Sequence, residues 1–221
     1  MKKLHISILL LFFSLVTYGQ NWKPYKIDDS VQVSLPDGFT RKDTLGQTII
    51  TAQTSFGNLL ITKIPDNPKT TPDIEKEKHL EKYYDNFVSE IQKSAKEGVI
   101  SNEKDSTLGN LRIKEITLAV DSGSGKQLRN IRILHENSST YTFQFLYNDF
   151  QEAYAAPELT TFFSSLKIPP EAGIETQFTN PENTTGKTPF ATRNLILGII
   201  AAGVLLVIIL LFFYKKKREI H

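Results

Sequence analysis

Two short stretches carry the residue types from which a reactive site is usually built. His135-Glu136 sets an imidazole beside a carboxylate, a pairing able to do acid–base work or to hold a metal. Asp121-Ser-Gly-Ser-Gly-Lys126 is glycine-rich and ends in a lysine, as phosphate-cradling loops do. A P-loop needs Gly, four residues, then Gly-Lys-Ser/Thr between a strand and a helix. Here the spacing differs, Gln127 replaces the hydroxyl residue and a strand pattern follows, so the loop reads as a hairpin connection. A metal site needs several converging ligands, and His135 has no second ligand pair nearby in sequence. Of the other histidines, His5 and His221 stand at the termini, and His79 lies among charges on a helix, where an exposed position is expected. Asp28-Asp29 is a possible carboxylate pair, but adjacent acids before a strand suit a loop. No Gly-x-Ser-x-Gly elbow occurs. The chain has no cysteine, which excludes thiol nucleophiles, disulfides and a lipid-bearing N-terminal cysteine. The sequence therefore assigns no catalytic, cofactor-binding or metal-ligating residue, and the expectation is a protein that is not an enzyme.

The elements that would position these residues follow from periodicity. Val31 to Leu35 alternates apolar and polar and is closed by Pro36-Asp-Gly38. Gln47 to Gln53 and Leu59 to Ile64 read as strands joined through Ser55-Phe-Gly-Asn58. Thr71-Pro72-Asp73 has the composition of a helix start, and Leu80, Tyr84, Phe87, Val88, Ile91 and Ala95 recur at helical spacing toward a stop at Gly98. Strands are expected at Val99 to Asp105, Leu111 to Val120, Gln127 to His135 and Thr140 to Tyr147. The last places Tyr141, Phe143, Phe145 and Tyr147 on one face, as core rather than as a base-stacking platform. Phe150 to Leu166 reads as a second helix, with Pro157 in its first turn. The fold class is α+β: an antiparallel sheet with helices packed on its faces.

Both termini speak of a membrane. Lys2 and Lys3 precede an apolar run from Ile6 to Val16, the pattern of an export signal over residues 1–19 with cleavage before Gln20. Leu195 to Phe213 are nineteen residues without a charge, against the ~20 that a transmembrane helix needs. Lys215, Lys216, Lys217 and Arg218 follow, and the positive-inside rule keeps them cytoplasmic. Residues 194–214 are thus expected as the span and 215–221 as a basic tail. Pro169 to Arg193 is rich in Pro, Thr, Asn, Gly and Glu and reads as a tether, about 25–30 Å across as a coil. Residues 20–168 remain as one extracytoplasmic domain. From Gln20 to Arg193 there are 20 basic and 23 acidic side chains, so no nucleic-acid-binding face is expected. The absence of cysteine suits a bacterial envelope protein better than an animal ectodomain. Asn137 and Asn183 match the N-glycosylation pattern, which is without meaning in a bacterium.

The stretches YKIDDSVQVSLPDGF and YTFQFLYNDFQEAYAAPELTTFFSSLKI, on either side of the long helix, resemble the PsbP/Mog/DcrB-like superfamily. An early strand ending in Leu-Pro and a last helix closing on Phe162 to Ile168 carry the likeness, which spans about Trp22 to Ile168. The resemblance implies a PsbP/Mog-like sandwich and an adaptor role without shared catalytic residues. Such members commonly have an N-terminal lipid anchor or none, whereas this chain has the C-terminal apolar block. Taken together, the sequence predicts a single-pass protein of the bacterial inner membrane with its domain outside and its C-terminus cytoplasmic. Its expected partners are the bilayer, through residues 195–213, and another envelope protein. The alternative is a small-molecule or lipid-binding periplasmic domain.

Overall fold

The computed structural model describes residues 20–44, 46–95, 98–121 and 125–179. The expected export signal, the span at 194–214, the basic tail, most of the tether and Asn183 lie outside the described residues. No helix among the described residues is long and apolar enough to cross a membrane.

Nine strands and two helices form the domain. The strands are β1 (Trp22–Lys26), β2 (Gln32–Pro36), β3 (Thr40–Thr44), β4 (Gln47–Gln53), β5 (Asn58–Pro65), β6 (Val99–Leu108), β7 (Leu111–Asp121), β8 (Lys126–Glu136) and β9 (Ser139–Asn148). Helix α1 spans Glu77–Ser94 and α2 spans Glu152–Ser164. Strands β3 to β9 make one antiparallel sheet in the order β3-β4-β5-β9-β8-β7-β6, and β1 and β2 form a separate ribbon. The ribbon is tied to the segment after α2 by paired backbone bonds of 2.9 Å between Gln32 and Lys167. This is the antiparallel α+β arrangement expected, with a helix on each face.

Strand β9 lies at the centre of the sheet. Tyr141, Phe143, Phe145 and Tyr147 alternate along it, and all four are buried. They pack with Val33 and Leu35 of the ribbon, Ile50, Ile61 and the inner face of α2 at Ala155, Phe162 and Phe163. On the opposite face α1 sets Leu80, Tyr83, Tyr84, Phe87 and Val88 against Ile116, Leu118, Ile131 and Ile133. Burying a large aromatic such as Phe145 removes roughly 150–250 Å² of surface from water, so the two layers of side chains are the main adhesive of the fold.

Several boundaries differ from the sequence reading, each for a physical reason. Helix α1 begins at Glu77 and not at Thr71, because Thr71 Oγ1 is taken by the Asn67 N–H (2.9 Å) and the Ile74 N–H donates to Thr179 Oγ1 (2.8 Å). Residues 71–76 therefore run as a non-helical connection pinned by the buried Ile74. Gly98 is required for closeness rather than for a positive φ: a Cβ there would stand 2.8 Å from that of Ala95 and 2.9 Å from Leu118. Pro157 is not a first-turn residue: α2 begins at Glu152, after a 3-10 turn over Asp149–Gln151, and Pro157 sits inside the helix. Strands β1 and β3 escaped the pattern; β3 reads TRKDT and every residue in it is exposed. The tether expected from Pro169 starts later, since residues 169–179 fold back onto the domain with Ala172 and Gln177 buried and a 3-10 turn at Ile174–Gln177.

The β4–β5 hairpin rests directly on β9. A Cβ at Gly57 would stand 2.5 Å from Phe145 Cε1 and 2.7 Å from the Leu146 carbonyl oxygen. Gly57→Ala should destabilise the fold by about 1–3 kcal/mol, seen as a lower midpoint in urea unfolding. An unchanged midpoint would show that the hairpin gives way freely.

Candidate functional site

His135 and Glu136 are adjacent on β8, so their side chains leave opposite faces of the sheet and do not act as a pair. His135 is fully buried on the α1 side. Its Nδ1 lies 2.9 Å from the Gln177 carbonyl oxygen and its Nε2 lies 3.0 Å from Asp66 Oδ2. A carbonyl only accepts, so Nδ1 is the donor to Gln177, while Nε2 faces the Asp66 carboxylate. Tyr84 completes the knot: its hydroxyl accepts from the His135 N–H (3.0 Å) and donates to the Arg112 carbonyl (2.9 Å). Burial pushes the Tyr83 and Tyr84 hydroxyls well above their ordinary range, so both stay protonated. With both ring nitrogens engaged and no water-exposed edge, His135 is a strut rather than a general base.

Gln177 joins this knot from the far end of the chain. Its Nε2 donates toward the carbonyls of Arg112 (2.8 Å) and His135 (2.9 Å), and its Oε1 accepts from the Arg112 N–H (2.8 Å). One amide thus pairs the Arg112 N–H and the His135 carbonyl, and it gives the Arg112 carbonyl a second donor beside the Tyr84 hydroxyl.

Glu136 meets Asp28 on the other face. Asp28 accepts from the Tyr141 hydroxyl (2.6 Å), pairs with Lys63 (2.5 Å) and accepts from the Ser30 and Val31 N–H groups (2.9 and 3.1 Å). Burial works to raise its pKa, but the bonds from Lys63, Tyr141 and Ser30 outweigh it and hold the carboxyl below its usual range. Asp29 instead pairs with Lys26 in solvent, so the two neighbouring acids form no dyad. Glu136 is 1% exposed and its Oε2 has no partner. Burial pushes it up to about 7, with the Asp28 charge adding to the shift and His135 opposing it. His79 is half-buried rather than exposed. The glycine-rich loop joins β7 to β8, whose ends pair at Asp121 and Lys126, as a hairpin connection does.

Two surface features remain. The first is a groove of about 490 Å³ beside α2, lined by residues of β6, β7 and β8 with Leu159 and Phe163 as its apolar wall. Glu115 bridges Lys104 (3.1 Å) and Arg132 (3.1 Å) across its floor. Arg132 also lies 4.6 Å from the Phe163 ring centroid and donates to the Phe163 carbonyl (3.0 Å). Thr117 donates to Asn130 (2.9 Å), which donates to Tyr147 (3.2 Å). Glu115 is held by two cations, Glu103 shares Lys114 with Asp85 and Asp105, and Thr117 is bonded to Asn130, so the groove offers hydrogen-bonding groups to a polar ligand. The second feature is the outer side of α2, where Phe150 and Tyr154 are 74% and 66% exposed. The Phe56 ring stacks on Tyr154 at 5.4 Å. None of these three was singled out as a surface aromatic from the sequence, although the helix EAYAAPELTTFFS carries only two charges, too few for the polar face a surface helix normally shows.

No protein-family model and no curated protein matches the chain. Among solved structures it is similar to cyanobacterial PsbP from Synechocystis sp. PCC 6803, at 13% identity and a TM-score of 0.46, over 71% of this chain and 99% of that one. It is also similar to the Ran-binding protein Mog1p of Saccharomyces cerevisiae, at 8% identity and a TM-score of 0.40, over 73% and 100% of the two chains. A third similar structure is LpqN of Mycobacterium tuberculosis, involved in cell envelope biogenesis, at 10% identity and a TM-score of 0.35, over 68% and 91%.

Two outcomes are expected. A carboxyl with a raised folded-state pKa favours the fold below its unfolded value and loses that advantage as pH rises through the folded value. Glu136 should therefore cost about 2 kcal/mol above pH ~7 and nothing below pH ~4. Glu136→Gln should raise stability at pH 8 and flatten the stability profile between those limits; equal profiles would refute the assignment. Gln177→Ala should lower stability by roughly 2–4 kcal/mol through the loss of the partners of the Arg112 N–H and the His135 carbonyl, measured by chemical unfolding at constant pH.

Proposed function

We propose that the protein is a non-catalytic adaptor, anchored in the bacterial inner membrane by residues 195–213 with its folded domain outside, which docks on another envelope protein. The observation that carries this reading is the outer side of α2. A surface helix ordinarily turns charged residues to water; beside Glu152, Thr160, Thr161 and Ser164, this one exposes Ala153, Tyr154, Ala156 and Pro157, and the turn before it exposes Phe150. The charge-free run at 195–213 and the four cations after it support the anchor and its orientation. Lipid binding is disfavoured because the groove is floored by Glu115, Arg132 and Asn130 and not by apolar side chains.

The absence of cysteine makes the topology directly testable. Single cysteines at Thr107, exposed on β6, and at Ile220 should report opposite sides of the membrane. A membrane-impermeant maleimide should label Thr107→Cys in intact spheroplasts and Ile220→Cys only after permeabilisation. Labelling of Ile220→Cys in intact spheroplasts would overturn the orientation.

A further inference from the structure

The exposed rings beside α2 are held in place before any partner arrives. Glu158 accepts from both the Ser55 N–H (3.0 Å) and the Phe56 N–H (3.1 Å), clamping the β4–β5 hairpin to the helix. The clamp brings Phe56, 38% exposed, against Tyr154, with the ring planes 25° apart. Phe150, in the 3-10 turn that leads into α2, is exposed four residues before Tyr154. A fixed aromatic surface loses little conformational entropy on binding, which is the quality of an interface centre.

Along the helical path itself the charges have one sign, while the exposed Lys126 begins β8 next to Gln127, the cross-strand partner of Asn148. Residues 149–164 contain Asp149, Glu152 and Glu158 and no lysine or arginine. Glu158 is consumed by the clamp, whereas Asp149 and Glu152 are exposed at the rim. Such a rim repels an anionic lipid surface, and it repels its own copy across a two-fold axis.

We propose that the Phe56–Phe150–Tyr154 surface is the docking site for a protein segment that presents apolar side chains ringed by lysine or arginine. Cations of the segment meet Asp149 and Glu152 and can lie over the aromatic faces, while its apolar centre covers the rings. This rests on the adaptor reading and adds the chemistry of the partner.

The test uses the full-length chain in membranes of its source cells, with a photo-crosslinking phenylalanine analogue in place of Phe150. The expected result is an adduct to a protein whose crosslinked segment holds apolar residues flanked by lysine or arginine. Its yield should fall roughly tenfold or more in the Asp149→Lys/Glu152→Lys double variant and in isolated membranes at high salt. Tyr154→Ala should also lose the adduct, with unfolding midpoints confirming that all variants fold. If Tyr154→Ala abolishes the adduct but charge reversal and salt leave it intact, the adaptor reading stands and the cationic partner is overturned. Adducts to lipid or to a second copy overturn the proposed occupant. If no adduct forms at Phe150, both the docking site and the adaptor reading fall.

Discussion

Strand β9 has no face left for water, and the rest of the architecture answers to that constraint. Its aromatic side needs a deep apolar cover, which the β1–β2 ribbon and the inner side of α2 supply. Its other side is made of hydroxyl and amide groups, and these need partners as well as cover. Thr142 meets Thr62 at 2.7 Å, and Thr140 meets Tyr83 of α1 at 2.6 Å. A strand so enclosed must lie in the middle of its sheet, flanked by β5 and β8. The hairpins on either side then fan outward to β3 and β6, whose exposed, charged residues suit sheet edges that discourage further strand pairing.

The second constraint is polar. Strands β7 and β8 leave backbone groups of Arg112 and His135 facing a buried space, and Gln177 fills it from more than forty positions further along the chain. Low polarity around such a knot strengthens each bond and raises the cost of leaving any member unpaired. The segment leading away from the domain is thus anchored to the sheet itself rather than trailing from the last helix. Any pull transmitted along the chain from beyond Thr179 meets the Thr179–Ile74 and Thr176–Asn137 backbone bonds first.

Much of the fold was legible because one side-chain period dominates each element. β4 was read with its observed limits and β9 nearly so, since alternation over seven or more residues leaves little choice of register. What was illegible depended on contacts distant in sequence. TRKDT has no alternation, so β3 exists through its pairing with β4. The PPEAGIETQ stretch has the composition of a linker, and only the space between β7 and β8 makes it part of the domain. The same holds for the candidate sites. His135 with Glu136, and Asp28 with Asp29, were visible as neighbours along the chain, whereas the structure separates both pairs and brings Asp28 near Glu136 instead. The exposed aromatics carried one readable signal, the scarcity of charge in α2, which periodicity alone does not convert into an outward-facing surface.

That scarcity is better understood from the three demands made on α2. Its inner side fills the aromatic core through Ala155, Phe162 and Phe163. One flank, at Leu159 and Phe163, walls the polar groove, where Arg132 reaches across to the Phe163 ring and carbonyl. The remaining side carries the exposed rings and is fastened to the β4–β5 hairpin by Glu158. A helix dedicated only to the core would be free to accept lysine and glutamate on its outer positions at almost no cost in stability. The apolar outer side is therefore not required by the fold, and the two ends of the helix differ in what they serve. Around Phe162 the side chains are fixed by packing, while Tyr154 is braced by Phe56 of the clamped hairpin and its ring is left in water. Ordering apolar groups without burying them gives the isolated domain little, but it suits a surface completed by a second molecule.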